Sequence, residues 1–327
     1  MTSASSAFTL TSDSGAAEAR HKPPSLMSLP AAVRHFLAFV LPAILAAAAP
    51  SGPLLLDAAR AGDAIVAVGE DGLVLRRAEP DAEWERLSSG AGSTLTGVSF
   101  ATGETGWAVG HDGVVLQTTD GGQTWTAVPD AGKATASYLD VQALSERHVI
   151  AIGGFGAYLE TRDGGQRWRS RRIIDEKVHL NRISRDTHGT LYIAADRGVL
   201  LRSTNDGRRW ERLASVDGHA FHDVLPLKND TLLAFGPQGR VYRSTDRGDT
   251  WSRVETRTDA LILTGIELDD GTVVLAGQPQ LCLVSRDGGE SFTATRHAVP
   301  AIAKLLIRHD RELLSFGDGG VHALSVP

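Results

Sequence analysis

The chain has 327 residues, of which 42% are hydrophobic and 35 are glycine, and its net charge at pH 7 is −6. This length and glycine content suit a large β domain built from strands and tight turns. The mild negative charge provides no general attraction to nucleic acid or to an anionic membrane, so nucleic-acid binding is not expected.

The first 50 residues differ in composition from the rest of the chain. Residues 1–26 form a polar leader, and an apolar run at 36–49 follows Arg34. The run is short for a membrane span but has the length of a signal-peptide core that ends in small residues. The sequence therefore predicts export to the periplasm or another extracytoplasmic space. A retained signal anchor is the alternative, and Met27 is a candidate for the true start of translation.

Residues 51–327 repeat a unit of about forty residues, the period of a four-stranded propeller blade. Each unit holds an apolar run and then a glycine-bracketed turn, at residues 68–72, 109–113, 152–156, 194–198, 235–239, 276–280 and 316–320. We predict an all-β fold, a seven-bladed β-propeller of four-stranded blades. In the second unit the strands, from the innermost outward, are predicted at Leu95–Phe100, Gly106–Val109, Val114–Thr118 and Trp125–Val128.

The seventh unit ends at Pro327 without a fourth predicted strand. It either remains three-stranded or is completed by a segment near Ser51–Leu55, which would close the ring.

A second motif, Thr-Thr-Asp-Gly-Gly-Gln-Thr-Trp at residues 118–125, recurs in the four units that follow. An Asp or Asn oxygen can accept hydrogen bonds from turn amides, and glycine adopts backbone angles that a Cβ opposes. We therefore interpret the repeated residues as structural, with the aromatic packing between blades. Calcium binding is not expected, since each loop offers too few oxygens. The repeated positions are Asp120, Gly122, Trp125, Asp163, Gly165, Trp168, Asn205, Gly207, Trp210, Asp246, Gly248, Trp251, Asp287, Gly289 and Phe292.

This motif resembles the Asp-box, or BNR-repeat, pattern Ser/Thr-x-Asp-x-Gly-x-x-Trp. Residues 107–125, which join Trp-Ala-Val-Gly to the motif, resemble the photosystem II stability and assembly factor group. The resemblance implies a non-catalytic protein that helps to assemble or stabilise a membrane-associated protein complex. It implies no cofactor, no metal and no small-molecule substrate, and it leaves open whether any photosynthetic role applies.

Two other functions remain as alternatives. Asp-box propellers include the sialidases, whose site resembles a cluster of three arginines, a Tyr–Glu nucleophile pair and an Asp acid/base near the axis. Here Tyr158, Tyr192 and Tyr242 fall on second or third strands, and Tyr138 alone approaches an inner strand. We therefore assign no catalytic residues, and keep a sialidase-like or other glycan-active hydrolase, and a periplasmic accessory of a transporter, as alternatives.

Charged residues recur near the start of the predicted inner strands. One column contains Asp57, Asp140, Arg182, Asp223 and Lys304, and another, one residue earlier, contains Thr96, Asn181, His222 and Thr264. Ring closure would turn one column toward the axis and form a charged collar without a packing role. The collar is a candidate partner-binding site, and solvated channel lining is the alternative.

A basic run between the third and fourth units is the second candidate site. It contains Arg167, Arg169, Arg171 and Arg172 and continues toward Lys177. It is predicted to meet an acidic segment of a partner. The alternative is a solvated edge strand that discourages aggregation.

Overall fold

The computed structural model describes residues 52–129, 131, 136–213, 218–308 and 312–326. These residues form seven antiparallel sheets. Their inner strands contact one another in chain order, and the inner strand of the seventh sheet contacts that of the first. The predicted seven-bladed β-propeller is thus confirmed. The predicted export segment, within residues 1–50, lies outside the described residues.

Each blade begins with an inner strand near the axis. The inner strands are β1 (Leu55–Ala61), β5 (Leu95–Phe100), β9 (Tyr138–Ala143), β13 (Leu180–Arg185), β17 (Asp223–Pro226), β21 (Leu261–Glu267) and β25 (Ile302–Ile307). The second strands are β2 (Ala64–Gly69), β6 (Gly106–Gly110), β10 (Val149–Gly153), β14 (Leu191–Ala195), β18 (Leu232–Phe235), β22 (Val273–Gln278) and β26 (Leu313–Gly317).

The third and fourth strands complete the blades toward the rim. The third strands are β3 (Leu73–Arg77), β7 (Val115–Thr118), β11 (Tyr158–Thr161), β15 (Leu200–Ser203), β19 (Val241–Ser244), β23 (Leu281–Ser285) and β27 (Gly320–Leu324). The outer strands are β4 (Glu85–Ser88), β8 (Thr126–Ala127), β12 (Arg169–Ser170), β16 (Glu211–Arg212), β20 (Ser252–Val254) and β24 (Thr293–Arg296). In the second blade the inner strand has the predicted limits, and the outer strand is shorter than predicted.

The seventh blade has three strands among the described residues. Leu55 pairs with Gly69 inside the first blade, so it does not supply the missing strand. The ring closes instead by packing, because Leu314 and Phe316 of β26 share an apolar cluster with Leu55 and Ile65.

The Asp-box turns are braced by a repeated set of hydrogen bonds. In the second blade the Asp120 carboxylate accepts bonds from the Thr118 hydroxyl at 2.7 Å and the Thr124 N–H at 3.0 Å. Asn205 accepts the equivalent bonds from Ser203 and Arg209. Desolvation acts to raise the pKa of Asp120, but the hydrogen bonds from Thr124 and Thr118 outweigh it and lower the pKa to about 2. The carboxylate is therefore part of the turn's own structure.

The aromatic residue that ends each box packs against the preceding blade. Trp125 shares a cluster with Val66 of the first blade, and Trp210 lies edge-on to Tyr158 of the third blade, with 6.2 Å between ring centroids. Burial of an aromatic ring removes about 150–250 Å² from water, so these contacts hold neighbouring blades together.

Every blade has two ends, which carry different connections. The glycine-bracketed turns lie at one end, together with the connections that lead to the next inner strand. In the third blade, for example, the Gly154 N–H donates to the Ser137 carbonyl at 2.8 Å. We call this the turn end. The Asp-box turns lie at the opposite end of the third strand, which we call the box end.

Candidate partner-binding surface

The inner strands place a column of side chains near the turn-end mouth of the axial channel. Six of the seven inner strands carry a register irregularity close to their start. The residue at which strand pairing resumes after this irregularity occupies the same position in each blade. The column contains Asp57, Gly97, Asp140, Arg182, Asp223, Thr264 and Lys304, where Asp223 begins the shorter strand β17.

The structure brings the five charged residues of this column together, and we call them the axial collar. The Arg182 Nη1 atom lies 3.3 Å from Asp140 Oδ1 and 3.5 Å from Asp57 Oδ1. Asp57 and Arg182 belong to blades three positions apart in the ring, so this contact spans the channel. Lys304 Nζ approaches Asp57 Oδ1 at 3.1 Å from the seventh blade.

The predicted collar also braces the blades, and the expectation that it has no packing role was wrong. Asp57 Oδ2 accepts a hydrogen bond from the Val98 N–H of the next blade at 3.0 Å. Asp140 Oδ2 accepts the equivalent bond from the Ile183 N–H at 2.9 Å. A buried carboxylate needs such partners, because leaving it unpaired is costly.

The register corrects one predicted assignment. Thr264 belongs to the collar column, since it pairs with Ala276 as Lys304 pairs with Phe316. Thr96 and Asn181, one residue before that column, donate hydrogen bonds to carbonyls of the next blade, Tyr138 and Phe221, each at 2.8 Å.

Two groups at the collar are held in their neutral forms near pH 5. Burial raises the pKa of Asp223 to about 6, although Arg182 and Lys304 act in the opposite direction. Burial and the charge of Arg182 together lower the pKa of His222 to about 3. His222 therefore adds no positive charge to the collar at neutral pH.

The structure divides the predicted basic run between the two ends of the blade. Arg167 lies in the box turn and Arg169 in strand β12, whereas Arg172 and Lys177 lie on the turn-end connection to the fourth blade. All four side chains are exposed. Only Arg172 and Lys177 therefore share the turn end with the axial collar.

Arg171 points inward and is committed to the contact between blades three and four. Its Nη2 atom donates to the Tyr158 hydroxyl at 3.2 Å, and its Nε lies 3.3 Å from Glu160 Oε2. Nη1 donates to the Arg208 carbonyl of the next blade at 3.1 Å. Arg171 is thus a scaffold residue in this structure, unlike its neighbour Arg172.

The tyrosines are packing residues in the structure. Tyr138, Tyr158, Tyr192 and Tyr242 are all buried. Tyr158 lies near Glu160, but that carboxylate is already paired with His148 and Arg162, away from the axis. Among the described residues, no group of three or more His, Cys, Asp or Glu side chains is arranged to hold a metal ion.

Sequence reasoning missed two exposed side chains at the turn end, Phe155 and Arg197. Both occupy the left-handed position of their turns, with φ of 55° and 57°. A comparison of the seven turns, position by position, would have singled out Phe155, since the equivalent residues Asp71 and Asp112 are polar.

These features define a class: a closed seven-bladed Asp-box propeller with a paired axial collar and exposed cations at its turn end. The family model described as "Photosynthesis system II assembly factor YCF48" matches residues 131–252. The predicted resemblance to the photosystem II assembly factor group is therefore confirmed. No curated protein matches the chain.

Solved structures share the fold at low sequence identity. "YCF48 bound to D1 peptide" has a TM-score of 0.71 and 22% identity, covering 85% of this chain and 93% of that one. "YCF48 from Cyanidioschyzon merolae" has a TM-score of 0.67 and 21% identity, covering 84% and 95%. The WD40 propeller domain of Doa1 has a TM-score of 0.66 at 12% identity, covering 84% and 94%. At these identities, the likeness establishes the propeller fold.

Proposed function

We propose that this propeller is a non-catalytic assembly or accessory factor that works outside the cytoplasm and binds an acidic segment of a membrane-associated protein at its turn end. The observation that carries the proposal is the family match over residues 131–252. That stretch contains the exposed turn-end cations Arg172, Lys177 and Arg197. Arginine is well suited to carboxylates, because its planar fork can donate two parallel hydrogen bonds.

The nature of the partner is supported by the structural neighbour that holds a D1 peptide. A peptide bound by a propeller of this shape suggests that the present chain also takes an extended segment of another protein. Exposed cations would draw an acidic segment toward this face and speed its association.

The proposal of a non-catalytic role rests on how the axial charges are used. Arg182 is paired with Asp57 and Asp140, so it is not free to clamp a substrate carboxylate as an axial arginine of a sialidase would. The four tyrosines are buried, so none offers its hydroxyl to a sugar. We expect the protein to bind its peptide partner and to show no sialidase activity on a fluorogenic sialoside. Hydrolysis of the sialoside would contradict the non-catalytic role.

The extracytoplasmic location rests on the apolar run at 36–49, which ends in small residues. N-terminal sequencing of the mature protein from its native host tests this part of the proposal. A mature start near residue 50 is expected for a cleaved signal peptide, and retention of the run in a membrane fraction for an anchor. Recovery of the uncleaved chain from the cytoplasm would contradict both.

Binding is tested with the immobilised propeller and solubilised membranes of the native host. Captured integral membrane proteins are identified by mass spectrometry, and their acidic extramembrane segments are made as labelled peptides, with the D1 peptide as a reference probe. The double variant Arg172→Glu/Lys177→Glu is expected to weaken peptide binding by at least about tenfold, because two attractive charges become repulsive.

The matched control is Arg167→Glu/Arg209→Glu, which reverses two exposed charges at the box end of the same pair of blades. It should bind as the unchanged protein does. Failure of every peptide to bind the unchanged protein, or equal loss in both double variants, would refute the proposed site.

A further inference from the structure

One large hydrophobic side chain among the described residues is left exposed by the fold. Phe155, at the tip of the turn between β10 and β11, has 63% of its surface accessible. It belongs to none of the apolar clusters that join the blades, and its ring contact is an edge-on approach to His179 at 5.0 Å between centroids. Phe155 therefore contributes little to the cohesion of the propeller.

The backbone at Phe155 is also unusual for an aromatic residue. Its φ is 55°, in the left-handed region that bulky side chains seldom adopt. The same turn position is occupied by polar residues in four other blades: Asp71, Asp112, Arg197 and Gln238. Backbone strain at a residue that adds no packing contacts is found most often at functional sites.

The surroundings of Phe155 belong to the turn end and carry exposed charges of both signs, Asp175 and Glu176 as well as cations. The connection that carries Arg172, Lys177 and His179 passes beside this turn, and a Cβ on Gly156 would lie 3.6 Å from the Glu176 carbonyl. Glu176 is itself paired with Arg212, and Asp196 lies 3.9 Å from His179. A backbone hydrogen bond lowers the pKa of the Glu176 carboxyl, and the charges of Arg212 and, more weakly, Arg197 act in the same direction. An exposed aromatic ring is thus flanked by exposed cations.

We propose that Phe155 is the apolar anchor of the turn-end surface and contacts an aliphatic or aromatic side chain of the bound peptide, while carboxylates of that peptide pair with Arg172, Lys177 and Arg197. This inference rests on the proposed function and adds a requirement to it. The partner segment must contain an apolar residue among its acidic ones. A few buried aromatic contacts commonly supply much of the energy of such interfaces.

The test combines one substitution in the protein with one in the peptide. Phe155→Asn suits the left-handed backbone better and adds no charge that would repel an acidic peptide. The probes are a twelve-residue acidic peptide with one central leucine and the same peptide with serine at that place. Binding is measured by fluorescence anisotropy and thermal stability by differential scanning fluorimetry.

Phe155→Asn is expected to keep or raise the melting temperature. It should lower the affinity of the protein for the leucine peptide by at least about tenfold. The serine peptide should bind both proteins with the same, lower affinity, which shows that ring and leucine are coupled. Gln238→Asn, the equivalent change in the fifth blade, should leave binding unchanged.

The outcomes separate this inference from the proposed function. Equal binding of the leucine peptide by Phe155→Asn and the unchanged protein overturns the anchor alone. A lowered melting temperature also overturns it, because Phe155 would then serve the stability of the fold. Failure of both peptides to bind the unchanged protein overturns the proposed function together with the anchor.

Discussion

The two ends of each blade use their side chains differently, and the contrast separates cohesion from recognition. At the box end, five consecutive blades repeat an Asp or Asn that accepts hydrogen bonds from its own turn, as Asp120, Asn205 and Asp246 do. At the turn end, the left-handed position changes chemistry from blade to blade, from Asp112 to Phe155 to Arg197. Repetition marks the residues that hold the blades together, and variation marks the surface available to a partner.

The axial collar lies between these two cases. Its members differ from blade to blade, as turn-end residues do, yet Asp57 and Asp140 brace neighbouring blades as box residues brace their turns. Variation alone therefore does not identify a binding residue. Burial and hydrogen-bond partners must be known as well.

The largest expected effect comes from breaking the collar. Arg182→Gln removes the cation shared by two buried carboxylates, and we expect a loss of about 3–5 kcal/mol in the free energy of unfolding. Urea unfolding followed by tryptophan fluorescence measures it. Arg172→Gln, an exposed arginine at the same end, should change stability by less than about 0.5 kcal/mol. Equal stability of the two variants would mean that the collar is only solvated lining.

Replacing an aromatic residue of an Asp box should cause the second-largest loss of stability. Trp168 is half-buried and packs against the cluster that contains Trp107 and Val109 of the preceding blade. Trp168→Ala is therefore expected to cost about 3 kcal/mol, at the lower end of the range for buried aromatic residues. Thermal unfolding followed by circular dichroism measures the shift, with Phe155→Asn as the turn-end counterpart. An unchanged melting curve for Trp168→Ala would contradict the claim that box aromatics hold the blades together.

The smallest expected change is in how the stability of the protein depends on pH through Asp223. Its pKa is raised to about 6 in the fold, from 3.8 for a free side chain, so the folded state binds the proton more tightly than the unfolded chain does. Stability should consequently fall as the pH rises from about 4 to about 6, by on the order of 1–2 kcal/mol. Asp223→Asn should lack this component.

The measurement compares urea midpoints of the two proteins across that pH range, and the difference between them isolates Asp223 from other titrating groups. A difference that does not vary with pH would show that folding does not shift the pKa of Asp223.

The repeats alone were sufficient to predict the architecture. A period of about forty residues with short apolar runs leaves few ways to bury those runs, and a ring of blades is one that also protects strand edges. The strands of the second blade were predicted closely for the same reason. The box residues were predictable because their hydrogen bonds and packing are local to one turn or one blade boundary.

What the tertiary structure alone decided was the partner of each charged side chain. Neighbouring arginines in sequence, Arg171 and Arg172, have opposite environments, because alternate residues at the end of a strand point to opposite faces. Asp57 and Arg182 meet only because closure of the ring brings distant blades across one channel. Local periodicity is enough to specify the repeating scaffold, whereas the collar depends on contacts between residues far apart in the chain. The exposure of Phe155 became visible only when its turn was placed in the folded ring.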